Sequence, residues 1–351
     1  MKAAVYYGPG DIRLEERPVP KPSRGEVRLR VEACAICGTD VRIFTQGQKN
    51  VVPPQVTGHE ICGLVDAIGE GAEGYKVGEK VIVVTPVGCM KCRACQRGRQ
   101  NLCESFRAIG YHFNGGFTQF MVMPEEAVSQ GCLIRVPREL PAEEACLIEP
   151  LSCCVNGQEY LDIQVGDRVV IYGAGPIGLM HMELARASGA THVTIVDIAA
   201  DRLKKADEVF AIDRVIDSTA EDAEAVILSE SGGRGPDAII CAAPAHAVFE
   251  QALRICATFG RISYFASLSK KNPVINFDAN LLHYKEIGLF GAFASYAAQY
   301  QRAADLVAAR KVDMRKFITH RFPLEDIHEA FEVAKSGAGF KVVVTPHGGG
   351  A

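Results

Sequence analysis

From about residue 166 the chain alternates short β-branched runs with amphipathic stretches of helical length, and that alternation constrains the fold most tightly. RVVIY (168–172), THVTIVD (191–197), a run near 214–217, DAIICAA (237–243), RISYFA (261–266) and EIGLFGA (286–292) read as strands. A segment beginning near Pro176, AADRLKKADEVF and residues 221–231 read as helices between them. Parallel strands need crossovers of about a dozen residues, which such helices supply. The pattern therefore predicts an α/β domain with a doubly wound parallel sheet. Residues before it differ: EVRLRVEAC, VIVVTPV and FTQFMVM, separated by Gly and Pro, predict a mostly β, barrel-like domain. After about 295, the helices AAQYQRAADLVAARK and LEDIHEAFEVAKS and the strand KVVVT return to that first domain, making it discontinuous. The tail Pro346–Ala351 reads as a frayed end.

A chain of 351 residues exceeds one typical core. With a net charge of −4 and no basic tract, nucleic acid and anionic membranes are poor partners. Apolar runs such as VIVV (81–84) are far too short to span a bilayer. The opening MKAAVYYGPGDIRL lacks the apolar core of an export signal and reads as a strand. Thirteen cysteines then suggest a reducing compartment, the cytoplasm, with thiols used for metal ligation and as small buried side chains.

Four of those thiols, Cys89, Cys92, Cys95 and Cys103, follow Cys-x2-Cys-x2-Cys-x7-Cys spacing inside the loop 88–104. Thiolates at that spacing can close a tetrahedral Zn²⁺ site, and a filled shell leaves no place for substrate. This zinc is expected to be structural, and the chemistry to lie elsewhere.

Gly173-Ala174-Gly175-Pro176-Ile177-Gly178 fits G-x-G-x-x-G between a strand and a helix. The first Gly allows the tight turn, the second lets backbone approach a pyrophosphate, and the third admits close helix–strand packing. Asp197 follows Gly178 by nineteen residues, at the end of the next strand. A carboxylate there accepts from ribose hydroxyls and repels a 2′-phosphate, which favours NAD over NADP. Arg202 could cover the adenine face or remain a solvated helix residue.

A second set, Cys37, His59, Glu60 and Glu149, is scattered along the chain but set in distinctive contexts: Cys37-Gly38-Thr39-Asp40, Gly58-His59-Glu60-x2-Gly63, and Glu149-Pro150-Leu151. With the four-cysteine loop and the glycine fingerprint in the same order, the chain resembles the zinc-containing medium-chain alcohol dehydrogenases over essentially its whole length. The Glu-Pro-Leu context is similar to the polyol (sorbitol/L-iditol) dehydrogenase branch. The resemblance implies a GroES-like, mostly-β catalytic domain at 1–154 and 295–351 and a Rossmann NAD-binding domain at 155–294. It implies that Cys37 and His59 ligate a catalytic Zn²⁺, and that Glu60 and Glu149 complete the shell, one directly and the other directly or through water. Cys153 or Cys154, about one turn beyond Glu149, is a rival to that carboxylate. Thr39 would take the alcohol proton, and Asp40 would orient His59. Charge counting adds a physical constraint: one thiolate and one carboxylate neutralise Zn²⁺, and a second carboxylate would blunt its Lewis acidity.

The implied reaction is reversible oxidation of a secondary alcohol (a polyol, sugar alcohol or related derivative) with hydride transfer to NAD. The resemblance implies further cofactor contacts at Phe265, Ala266, Ser267, Ala292, Phe293, Ala294 and Lys341, and a homotetramer or homodimer extended across the sheet edge near 286–292. Two departures bear on substrate. Arg42 replaces a relay histidine, and Ala294, Ser295 and Ile43 replace the Arg and Tyr residues that animal sorbitol dehydrogenases offer to polyol hydroxyls. L-Threonine 3-dehydrogenase-like oxidation and a non-catalytic dinucleotide-binding redox sensor remain as alternatives.

Overall fold

In the computed structural model, which describes residues 1–348, the chain divides into two compact units: Met1–Ser152 with Ser295–Ala351, and Cys153–Ala294. The division falls two residues before the expected one because Cys154 packs with the second unit, its thiol donating to the Ile177 carbonyl at 3.7 Å.

The first unit holds a seven-stranded sheet in the order Leu133–Arg135, Lys80–Val83, Glu60–Ile68, Val27–Ala35, Lys341–Thr345, Ile318–Pro323, with Phe120–Met123 also paired to Val27–Ala35. A three-stranded sheet joins Asp11–Glu16, Lys2–Gly8 and Gln55–Val56. Val27, Leu29, Val31 and Ala33 are fully buried while Arg28, Arg30 and Glu32 between them are half-buried, the period-two pattern of a strand with one core face. Register at the end of this strand positions the site. Ala35 lies opposite Glu60 on one side and Val343 on the other, and the Ile36 N–H donates to the Val342 carbonyl at 2.9 Å. Cys37 follows immediately and starts the helix Gly38–Gln46. The tail is better held than expected: the Gln119 side chain donates to the Pro346 carbonyl at 3.2 Å, and the His347 ring packs edge-on against Phe120. Residues 349–351 of that tail lie outside the described residues.

The second unit carries a six-stranded, all-parallel sheet. Its strands, in chain order, are Arg168–Tyr172, His192–Asp197, Arg214–Asp217, Ala238–Cys241, Arg261–Tyr264 and Gly288–Gly291. In space the third, second and first precede the fourth, fifth and sixth, the doubly wound arrangement with its switch point beside the first strand. Helices Pro176–Ser188, Ala200–Phe210 and Ala223–Glu230 match the predicted crossovers. The helix His246–Ile255 was not foreseen, although its buried residues Phe249, Ala252 and Leu253 have i, i+3, i+4 spacing. The last three strands end earlier than predicted, which releases Phe265–Ser267 and Ala292–Ala294 as loops at strand C-termini. No described helix is long and apolar enough to cross a membrane.

Candidate active site

The strand register brings three of the four scattered candidates together. A ligand atom from each of Cys37, His59 and Glu60 lies within 4.8 Å of the others. Gly58 makes the approach possible: its φ is +90°, and a Cβ there would meet Cys34 Sγ at 2.8 Å and the Phe117 ring at 2.9 Å. Asp40 is buried and ties the parts together. Its Oδ2 accepts from the Cys37 N–H at 3.0 Å, and its Oδ1 accepts from the Gly58 N–H at 3.3 Å and lies 3.5 Å from His59 Nδ1. The carboxylate thereby faces the Nδ1 side of the imidazole. Thr39 sits in the first turn of the same helix, half-buried, beside Cys37.

Glu149, the fourth candidate, is not one of the three. It is buried in the same unit, where its Oε1 accepts from the Tyr300 hydroxyl at 3.3 Å. Burial pushes its carboxyl up, to about 7, and neighbouring Glu60 adds to this while His59, Lys341 and the Tyr300 bond oppose it. The rival thiol Cys154 faces the Ile177 carbonyl, and neither it nor Cys153 joins the triad.

Lys341, expected among the cofactor contacts, is engaged with Glu60. Its ammonium is buried against Glu60, 2.7 Å from Oε1 and 2.5 Å from Oε2, and also donates to the Ile36 carbonyl at 3.0 Å. Two of its N–H bonds are thereby used by Ile36 and Glu60, and the ammonium is committed to the metal-ligand cluster. The physical reason is Glu60 itself, whose fully buried charge needs a partner. Tyr111 and Tyr300 were also missed. The Tyr111 ring lies 5.2 Å from that of His59, and nothing local in GYHF announces it.

The donor set suits Zn²⁺: thiolate, imidazole and carboxylate are its usual ligands. With half-buried Cys37 and buried Glu60 and Asp40 counted as anions and buried Lys341 as a cation, the neighbours sum to −2, which matches the ion. An ionised Glu149 would exceed that balance.

Cys89, Cys92, Cys95 and Cys103 also come within 4.8 Å of one another, in the same unit. The Cys92 and Cys103 sulfurs are 4.0 Å apart, close to the ~3.8 Å edge of a tetrahedron with Zn–S bonds of about 2.3 Å. Backbone N–H groups of Cys89 and Ser105 point at Cys103 Sγ, and that of Cys92 at Cys89 Sγ. Backbone hydrogen bonds from Cys95 and Glu104 pull the Cys92 thiol down to about 6, toward the thiolate a metal needs.

In the second unit the glycine turn is built as its sequence implies. A Cβ on Gly178 would fall 1.8 Å from the Gly173 carbonyl oxygen, whereas one on Gly175 would meet no atom within 4 Å. The space beside Gly175 is open for a phosphate, at the N-terminus of the helix Pro176–Ser188, which has no side-chain cap. Asp197 Oδ2 accepts from the Ala174 N–H at 2.7 Å, locking the turn to the second strand, and Arg202 lies 3.4 Å from the same oxygen. Phe265 turns inward, edge-on to His181 at 4.6 Å, while Phe293 is exposed. Ser295 is buried with its hydroxyl 2.6 Å from that of Ser152, so it presents nothing to a polyol. Arg42 is exposed and donates to Gln48 at 2.9 Å.

Residues 23–136 match the alcohol dehydrogenase GroES-like domain, and residues 176–309 match the zinc-binding dehydrogenase domain. The chain is 31% identical to a sorbitol dehydrogenase of Halalkalibacterium halodurans, over 99% of both chains. It belongs to the zinc-containing medium-chain alcohol dehydrogenases. Another member of the family, an L-threonine 3-dehydrogenase of Pyrococcus horikoshii, is 34% identical over 98% of this chain and 97% of its own. A zinc-binding dehydrogenase of Sinorhizobium meliloti, solved with NADP bound, superposes with a TM-score of 0.90 at 29% identity, covering 98% of this chain and 99% of that one.

Proposed function

We propose that this chain catalyses the reversible, zinc-dependent oxidation of a secondary alcohol of the polyol or sugar-derivative class to a ketone, passing hydride to NAD. The observation that carries the reading is the convergence of Cys37, His59 and Glu60 within 4.8 Å, with Lys341 and Asp40 balancing their charge. Zn²⁺ held by these residues supplies Lewis acidity that lowers the pKa of an alcohol. Asp40 stands beside the Nδ1 side of His59, and Lys341 supplies a countercharge to buried Glu60. The Thr39 hydroxyl, next to Cys37, would accept the alcohol proton while passing its own on toward the cofactor ribose.

For the cofactor, the uncapped helix start and the open cradle at Gly175 receive the pyrophosphate, and Asp197 disfavours a 2′-phosphate. Arg202 is held by Asp197 and is thereby diverted from a phosphate. Ala294 and the inward-turned Ser295 leave the polyol positions without donors, which favours a small or less hydroxylated alcohol over sorbitol. The threonine dehydrogenase relative, at 34% identity, makes amino-alcohol oxidation the second reading.

The test is a panel of polyols, sugar acids and L-threonine, followed by nicotinamide absorbance with NAD and with NADP, beside zinc analysis. Two zincs per chain and an NAD-linked rate with a polyol support the proposal. One zinc and no turnover with any alcohol favour a non-catalytic dinucleotide-binding protein. Thirteen unbridged cysteines suit a reducing compartment such as the cytoplasm. The edge strand Gly288–Gly291 offers unpaired backbone groups for a second copy, giving the dimer or tetramer that sedimentation would reveal.

A further inference from the structure

Tyr300 lies on the helix Ala297–Ala308 and is wholly buried. Its hydroxyl accepts from the Thr85 N–H at 3.1 Å and lies 3.3 Å from Glu149 Oε1. With a backbone donor occupying its oxygen, the phenol's one proton is directed at the carboxylate. The same Thr85 donates through its own hydroxyl to the His59 carbonyl at 3.2 Å, so Tyr300 is braced against the metal-ligand strand. On the other side, the Ser152 hydroxyl donates to the Glu149 carbonyl at 2.6 Å and fixes its backbone.

We propose that Tyr300 is a positioning residue that detains Glu149 outside the donor set of Cys37, His59 and Glu60, keeping one coordination position open for substrate. The inference rests on the metal centre of the proposed function and goes beyond it by naming what restrains the second glutamate. A buried carboxylate beside a dication can satisfy its charge at the ion or at hydrogen-bond donors away from it. Tyr300 supplies such a donor, and the charge sum of the surrounding groups already matches Zn²⁺ without Glu149. A hydrogen bond to a charged group is worth roughly tenfold or more in such a partition.

The experiment exchanges Co²⁺ into the Cys37 site of wild type, Y300F, E149Q and the double variant, with C37A as a blank that subtracts the four-thiolate lobe. Far-UV circular dichroism checks the fold of each. The cobalt d–d spectrum of Y300F is expected to shift as Glu149 enters the shell, its metal release to a chelator to slow about tenfold, and its alcohol KM to rise about tenfold. In the E149Q background the Tyr300 substitution should change neither spectrum nor release. E149Q alone should keep the wild-type spectrum, and this arm stands even if Y300F folds poorly. The proposal is overturned if Y300F leaves spectrum and release unchanged, if its effect persists with E149Q, or if E149Q alone alters the spectrum. A wild type whose cobalt spectrum equals the C37A blank would instead remove the metal centre itself.

Discussion

Replacing Lys341 by Met keeps the length and apolar stem of the side chain and deletes its charge. The Lys341 and Glu60 side chains are 6% and 0% exposed, so the substitution strands a carboxylate with no water to receive it. Breaking one side of a buried pair costs about 3–5 kcal/mol. For a unit of about two hundred residues each kcal/mol moves the melting temperature by roughly 2–4 °C, so metal-free K341M should melt some 6–20 °C below metal-free wild type. Zinc bound against Glu60 replaces part of the missing countercharge, and the deficit should therefore shrink when the ion is restored. The double variant K341M/E60Q, which removes both charges, should recover more than half of the loss. The chain has no Trp, so far-UV circular dichroism during thermal and urea unfolding is the suitable probe. A metal-free loss below about 1 kcal/mol, or a double variant no more stable than K341M, would refute the claim that Glu60 depends on Lys341.

Other outcomes follow from the same geometry. C37A and H59A should each lower turnover on the order of a thousandfold, the loss of several kcal/mol of metal-derived stabilisation, with one zinc fewer per chain and an unchanged dichroism spectrum. C92S should release the other zinc and lower the melting temperature, while kcat per folded molecule stays within about twofold, because a structural site holds the fold and not the substrate. In D197N the amide oxygen can still accept from the Ala174 N–H, at the cost of the acceptor that serves the Ile198 and Ala199 N–H groups; the kcat/KM preference for NAD over NADP should fall about tenfold as the repulsion of a 2′-phosphate is lost.

The features legible in the chain are those written locally. The four cysteines fall within fifteen positions, the glycine turn within six, and each parallel strand is a contiguous run, so spacing alone locates them. What escaped is carried by contacts between distant positions. Lys341 meets Glu60 across 281 residues, and Tyr300 meets Glu149 and Thr85 across 151 and 215. Neither residue sits in a distinctive string, and only the pairing of Val27–Ala35 with Glu60–Ile68 and Lys341–Thr345 reveals which side chains meet at the cluster. Resemblance pointed Lys341 toward the cofactor, whereas the antiparallel register at Val343 and Ala35 turns it to Glu60. The two glutamates looked interchangeable by residue type, and their different partners, an ammonium and a phenol, separate them.

The strand Lys341–Thr345 lies beside Val27–Ala35 although 305 positions separate Lys341 from Ile36. Domains generally fold as they leave the ribosome, N-terminal parts first. In this protein the thiol, imidazole and carboxylate emerge more than 280 residues ahead of the ammonium that balances them. The nascent polypeptide thus carries an unfinished cation site until Lys341 has been added. A message cut short before codon 341 would yield a product with most of its barrel and all of its nucleotide sheet, yet with Glu60 left uncompensated.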